Sequence, residues 1–154
     1  MHSDKKISSK TIRVIIAGYA VIALTLILLS AANYPVQWRK EANNERQRYL
    51  QVYAQAIHYS ALDHNGSLFA LRSEPAVIAN TDSCTFYCPA LNRTLACLNL
   101  QKDLVPNYMS QLLRDPFLDS TTTTGFYVSR TGSHIALGSC AAFFDQSLTE
   151  SLDL

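Results

Sequence analysis

Four cysteines, Cys84, Cys88, Cys97 and Cys140, are the residues of this chain best suited to covalent chemistry. Their number is even, so two disulfides are expected, in any of three pairings. A bridge from the 84–97 loop to Cys140 would close a ring of more than 40 residues and stabilise a small domain by ~3–4 kcal/mol. A four-cysteine zinc site is the rival reading, but the spacing lacks paired CxxC knuckles. Asp115 and Asp119 flank Pro116-Phe117-Leu118 just ahead of four consecutive threonines, and the simplest role for Asp115-Pro116 is a turn. The histidines are His2, His58, His64 and His134, with no HExxH-like arrangement. Ser133-His134 and Asp63-His64 are adjacent pairs, but no nucleophile elbow, P-loop or dinucleotide fingerprint surrounds them, so no enzyme is expected. Asn65-Gly66-Ser67 and Asn92-Arg93-Thr94 fit the glycosylation sequon, a pattern short enough to arise by chance.

All four cysteines lie beyond the loudest feature of the chain, the run from Val14 to Ala32. It holds 19 residues without a charge, a helix of about 28 Å against a hydrocarbon core of about 30 Å. Within it, Val14, Ile15, Ile16, Ala17, Gly18, Leu24, Leu26, Ile27, Leu28 and Leu29 supply a surface for lipid or for neighbouring helices. Ser30-Ala31-Ala32 would serve as a signal-peptidase site. The run is longer than a signal h-region, however, and continues into a helical segment, which favours an uncleaved anchor.

Charge is partitioned around this run. Residues 1–48 carry eight basic and three acidic groups, and residues 49–154 five basic and nine acidic. The basic flanks suit anionic headgroups, whereas the acidic distal part argues against a nucleic-acid surface. Four basic residues precede the run and four follow closely, so positive-inside counting is a tie. The cysteines break it, placing the C-terminal part in an oxidising compartment outside the membrane.

After the anchor, Pro35 is expected to kink or restart the helix. Residues 37–48 are polar nearly all round. Tyr49, Val52, Tyr53, Ala56, Ile57 and Ser60 then fall on one face, and Gly66 is a natural left-handed cap. Residues 67–96 show no sustained period and read as a loop with short elements. A short helix should end near Pro106. Phe126 and Val128 alternate with Tyr127 and Ser129, and Thr131-Gly132-Ser133 can turn the chain back, the pattern of a β-hairpin. The expected parts are a basic cytoplasmic tail over 1–13, a transmembrane helix over 14–32 and an amphipathic stem over 33–66. A disulfide-stapled extracytoplasmic domain over 67–145 and a polar tail over 146–154 follow.

This order of parts resembles type IV pilin-like proteins, including the pseudopilins of type II secretion. "ERQRYLQVYAQAIHYSALDHNGS" is similar to the end of a pilin stem, and "LVPNYMSQLLRDPF" followed by "GFYVSRTGSHIALGSC" to a late segment preceding a Tyr-rich hairpin. The resemblance implies an α+β fold, a long helix packed on a small antiparallel sheet. It implies a non-enzymatic subunit whose N-terminal helix packs in the membrane or against homologous subunits in a filament. It also makes Asp115 and Asp119 calcium candidates, since major pseudopilins can hold calcium late in the sheet, although two carboxylates need backbone carbonyls to complete such a site. No other cofactor is expected. The segment "SSKTIRVIIAG" lacks the Gly that precedes a prepilin cleavage point and the Glu that follows it. The alternative is therefore a non-polymerising single-pass protein whose small outer domain binds a partner.

Overall fold

The computed structural model describes residues 9–65, 71–141 and 148–153, with side chains from Ile15 onward except at positions 32 and 33. Val14 as a side chain, the tail over 1–8 and Gly66 thus lie outside the described residues. The chain divides after Arg39 into two units.

The first unit is helical. Helix α1 is assigned over Ser9–Asp63 and runs through Pro35 without a break. The expected restart at Pro35 does not occur. One lost backbone donor is tolerable where the apolar run gives way to polar residues, because water or a side chain can meet the freed carbonyl.

In the second unit, the α1 residues from Lys40 onward pack on a six-stranded sheet. Strands β1 (Ala76–Ala79), β2 (Thr85–Cys88), β3 (Arg93–Asn99), β4 (Thr123–Thr131), β5 (His134–Ser139) and β6 (Thr149–Asp153) lie in the order β2-β3-β1-β4-β5-β6. The fold class is α+β, a long N-terminal helix on a sheet. The sheet is mixed, with β1 parallel to β3 and the other neighbours antiparallel. The expected antiparallel sheet thus gains one parallel pair: a connection carrying the β2–β3 hairpin returns β3 beside β1 in the same direction.

Alternation assigns the two faces. Ala76, Ile78, Phe126, Val128, Ile135 and Leu137 meet Leu50, Tyr53, Ala56, Ile57 and Ala61 of α1, and Leu100, Leu104 and Met109 complete this core. Phe126 sits edge-on to Tyr49 at 6.3 Å and tilted against Tyr53 at 5.8 Å. The predicted stripe is right in position, with Tyr53, Ala56, Ile57 and Ser60 buried and Tyr49 and Val52 half-buried. The hairpin also forms as read: β4 pairs with β5 from Phe126↔Ser139 to Thr131↔His134. Gly132, with φ of 64°, opens the two-residue loop, where a side chain would be strained.

On the opposite face Val77, Cys88, Leu95, Tyr127 and Cys140 form a smaller cluster, with Phe86 and Leu91 against it. Burial pushes the Tyr127 hydroxyl pKa above its ordinary value, with the Arg93 charge pulling the other way. The ring of Tyr127 lies over Gly138, and a Cβ there would collide with it. Gly138→Ala must displace this ring from the cluster and is expected to cost about 1–3 kcal/mol. A denaturant titration would measure the loss, and an unchanged midpoint would show that the ring moves aside freely.

Further observations concern short elements. The segment expected to be a loop with short elements over 67–96 supplies β1, β2 and the start of β3, which runs on to Asn99; these strands make half the sheet. The four residues of β1 are all buried and show no alternation, so no period of two was there to detect. Asn65, with φ of 53°, is left-handed after α1, a residue type that tolerates this conformation, while the expected cap at Gly66 lies outside the described residues. Finally, the "polar tail" contains β6, which pairs with β5. Leu152 is half-buried against the core, and Gln47 Nε2 donates to Glu150 Oε2 at 2.9 Å. The short helix is as expected, a single turn, α2 (Gln101–Leu104), ahead of a cis Val105-Pro106 bond.

Candidate functional site

Three places in the structure collect the residues singled out by sequence. The first is a junction between α1 and the segment before β4. The buried stripe of α1 extends one turn further back than its apolar residues: Ala42, Asn43 and Arg46 are buried ahead of Leu50 and Tyr53. Arg46 is only 1% exposed. Its Nε donates to Asp115 Oδ2 at 2.6 Å and its Nη2 to Asp115 Oδ1 at 3.1 Å, a two-point fork on one carboxylate. Nη1 donates to Asn43 Oδ1 at 3.1 Å. The guanidinium carbon lies 5.5 Å from the centre of the Phe117 ring, within cation–π reach.

The backbone holds Asp115 in place for this contact. Its amide donates to Thr124 O at 2.8 Å, and its Oδ1 accepts from the Phe117 amide at 2.9 Å. Gly125, with φ of 81°, lets the chain pass so closely that a Cβ would stand 3.1 Å from both the Asp115 Cβ and Leu118. One residue earlier, Thr124 Oγ1 donates to Ile78 O at 2.8 Å, fixing β4 on β1. Nearby, Tyr53 donates to Leu113 O at 2.7 Å. Burial raises its pKa well above the ordinary tyrosine value, with the hydrogen bonds around it pulling the other way, so the hydroxyl stays neutral.

Asp115 and Asp119, the two calcium candidates, differ in their surroundings. Both Asp115 carboxylate oxygens are engaged by Arg46, and Asp119 is exposed. Arg46, which sequence grouped with the basic flank of the membrane run, is instead the partner of Asp115. A signal for this existed: Arg46, Leu50, Tyr53 and Ile57 keep the spacing of one helix face. Reading only apolar residues into the stripe hid it.

The second place is the cysteine pair region. Cys84 bonds to Cys97 and Cys88 to Cys140. Cys84–Cys97 ties the start of β2 to β3, and Cys88–Cys140 joins the far end of β2 to the end of β5 across the smaller cluster. Ala90 N donates to Cys140 O at 3.2 Å, and Cys140 N to Gly125 O at 2.8 Å, which locks the same corner. Two disulfides fit an oxidising compartment.

The histidines are dispersed. His58 is exposed, His64 Nδ1 sits 2.7 Å from Ser60 O, and His134 meets Asp153 at 2.9 Å on the surface. His2 lies outside the described residues. Among the described residues no three His, Cys, Asp or Glu side chains gather as metal ligands. A recess of about 580 Å³ is lined by Tyr49, Gln101, Val105 and the 110–114 segment. The cation at its rim, Arg114, is directed at Ser120 O and Thr121 O.

The third place is the N-terminal part of α1, which holds one stretch long and apolar enough to cross a membrane. Ile15, Ile16, Ala17, Gly18, Leu24, Leu26, Ile27, Leu28 and Leu29 are all exposed, on every side of the helix rather than in a stripe. The two aliphatic hydroxyls turn back on the helix: Thr25 Oγ1 donates to Ile22 O at 2.8 Å and Ser30 Oγ to Leu26 O at 2.9 Å. Their polarity is met within the helix, as hydrocarbon requires. Comparison of the chain with protein-family models, with curated proteins and with solved structures finds no match.

Proposed function

We propose that this chain is a single-pass membrane protein with an extracytoplasmic C-terminal domain, serving as a pilin-like structural subunit whose N-terminal helix packs in the bilayer and against like subunits. One observation carries the reading. A single helix is apolar and exposed on all sides from Ile15 to Leu29, then buries one face on a disulfide-bonded sheet domain. A surface apolar all round needs lipid or other helices around it. The helix assigned through Ala32 also speaks against a cut there, which would divide one continuous element.

Membrane residence is tested by Leu26→Lys, which puts a charge near the middle of the run. It is expected to make insertion less favourable by about 2.5–3.5 kcal/mol, moving the chain from the carbonate-resistant membrane fraction to the soluble one. A variant that stays membrane-embedded would remove the span from its assigned place. Assembly is tested with a photo-crosslinking residue at Leu28 in native membranes, where adducts with further copies of the chain are expected. Lipid adducts alone would favour the second reading, a non-polymerising anchor with a partner-binding domain. The missing Gly and Glu in "SSKTIRVIIAG" point to that alternative.

A further inference from the structure

We infer that the recess beside Arg114 binds an acidic saccharide, a hydroxyl-rich ligand with a carboxylate on the sugar. Every residue concerned belongs to the unit from Lys40 onward, so the inference stands apart from the membrane and assembly readings and gives the sheet-bearing unit a ligand class. The recess holds about 580 Å³, within the ordinary range of small-molecule sites. A second, of about 480 Å³, shares Gln101 and Val105 with it.

Charge selects the sign of the ligand. Residues 49–154 carry five basic and nine acidic groups, yet the two recesses are lined by two of those basic residues, Lys102 and Arg114, and by no carboxylate. Lys102 is offset by Asp103 beside it. Arg114 is not: Nη1 donates to Ser120 O at 3.2 Å and Nη2 to Thr121 O at 2.7 Å, and among the described residues it makes no ion pair. Two carbonyls thus fix the guanidinium without neutralising it, and three of its five N–H donors remain. A positioned arginine with donors to spare fits a carboxylate.

The rest of the wall selects hydroxyl groups. Gln101, Ser110 and Gln111 are exposed, and their side chains make no hydrogen bond among the described residues. In the second recess Asn80 spends one amide donor on Thr121 O, and Asn99 its carbonyl on the Gln101 amide. Side-chain amides both donate and accept, which suits the neighbouring hydroxyls of a sugar. An acidic peptide is the rival ligand. Peptide recognition leans on apolar anchors in dry pockets, however, and Val105, Leu112 and Leu113 are packed against the core.

The test titrates detergent-solubilised full chain by calorimetry with tetragalacturonate, with neutral maltotetraose and with tetraglutamate. Tetragalacturonate is expected to bind, and to bind more weakly as salt rises. Arg114→Gln should weaken it about 10- to 100-fold, the loss of hydrogen bonds to a charged group. Gln111→Ala leaves the Ser120 and Thr121 contacts in place and should weaken it about threefold or more. Near-UV circular dichroism and mapping of both disulfides verify the fold of each variant, and Gln111→Ala decides if Arg114→Gln does not fold. Equal binding of maltotetraose overturns the demand for a carboxylate. Tetraglutamate bound as tightly as the saccharide overturns the sugar class in favour of an acidic peptide. Undiminished binding by the folded variants, or no binding of any probe, overturns the site.

Discussion

Replacing Arg46 with alanine should destabilise the sheet-bearing unit by about 3–5 kcal/mol, and Asp115→Ala by a similar amount. Both side chains are 1% exposed, so removing either takes this partner from an ion that water does not reach. For Asp115→Ala the guanidinium loses both hydrogen bonds of the fork and keeps Asn43 and the Phe117 ring. For Arg46→Ala the abandoned carboxylate keeps the Phe117 amide. Arg46→Lys retains charge and loses the fork, and an intermediate loss is expected. The informative control is Arg46→Met with Asp115→Leu. If burial of charge is the source of the penalty, the double variant recovers most of the stability lost by either single one. Denaturant titration of the detergent-solubilised full chain, followed by near-UV circular dichroism, measures all four. Single-variant losses below about 1 kcal/mol, the range of exposed ion pairs, would sink the assignment of this junction as a structural clamp.

The same pair shows where sequence reading stops. Arg46 and Asp115 are 69 residues apart, and no local pattern announces which carboxylate a buried arginine will choose. The apolar stripe from Tyr49 to Ser60 was legible because tyrosine, valine, alanine and isoleucine recur at helical spacing. Its extension to Asn43 and Arg46 was not, because those residue types ordinarily mark the solvated face. The β4–β5 hairpin was legible because one face of β4 is core and a glycine stands at the turn. By contrast β1, with all four residues buried, carries no alternation, and its position between β3 and β4 is decided by partners distant in sequence. Strand β6 was hidden for the opposite reason. Its inward positions are Glu150 and Leu152, one of them polar and met by Gln47, 103 residues earlier. Asp115 was noticed, as a turn residue and through resemblance for calcium; the contact it makes depends on the close passage at Gly125. The need for two disulfides followed from the cysteine count, whereas their pairing required the fold.

That pairing separates the two bridges in their expected effects. Cys88–Cys140 spans 52 residues and Cys84–Cys97 spans 13, and loop-closure entropy assigns them about 4 and about 3 kcal/mol respectively. Packing widens the gap. Cys88 and Cys140 are buried in the smaller cluster beside Tyr127, so Cys88→Ala with Cys140→Ala also leaves a void there, whereas Cys84 is only half-buried. In addition, Cys84–Cys97 joins two strands already paired in one hairpin, while Cys88–Cys140 connects β2, an edge strand, to the end of β5 across the intervening strands. The double variant at 88 and 140 is therefore expected to lose about 4 kcal/mol or more. The loss at 84 and 97 should be no greater than about 3 kcal/mol. Denaturant titration of the two double variants under oxidising conditions compares them directly, and mass mapping of the remaining bridge in each verifies that the native pair persists. A larger loss at 84 and 97 would reverse the ranking and assign the stapling of the sheet to the hairpin bridge instead.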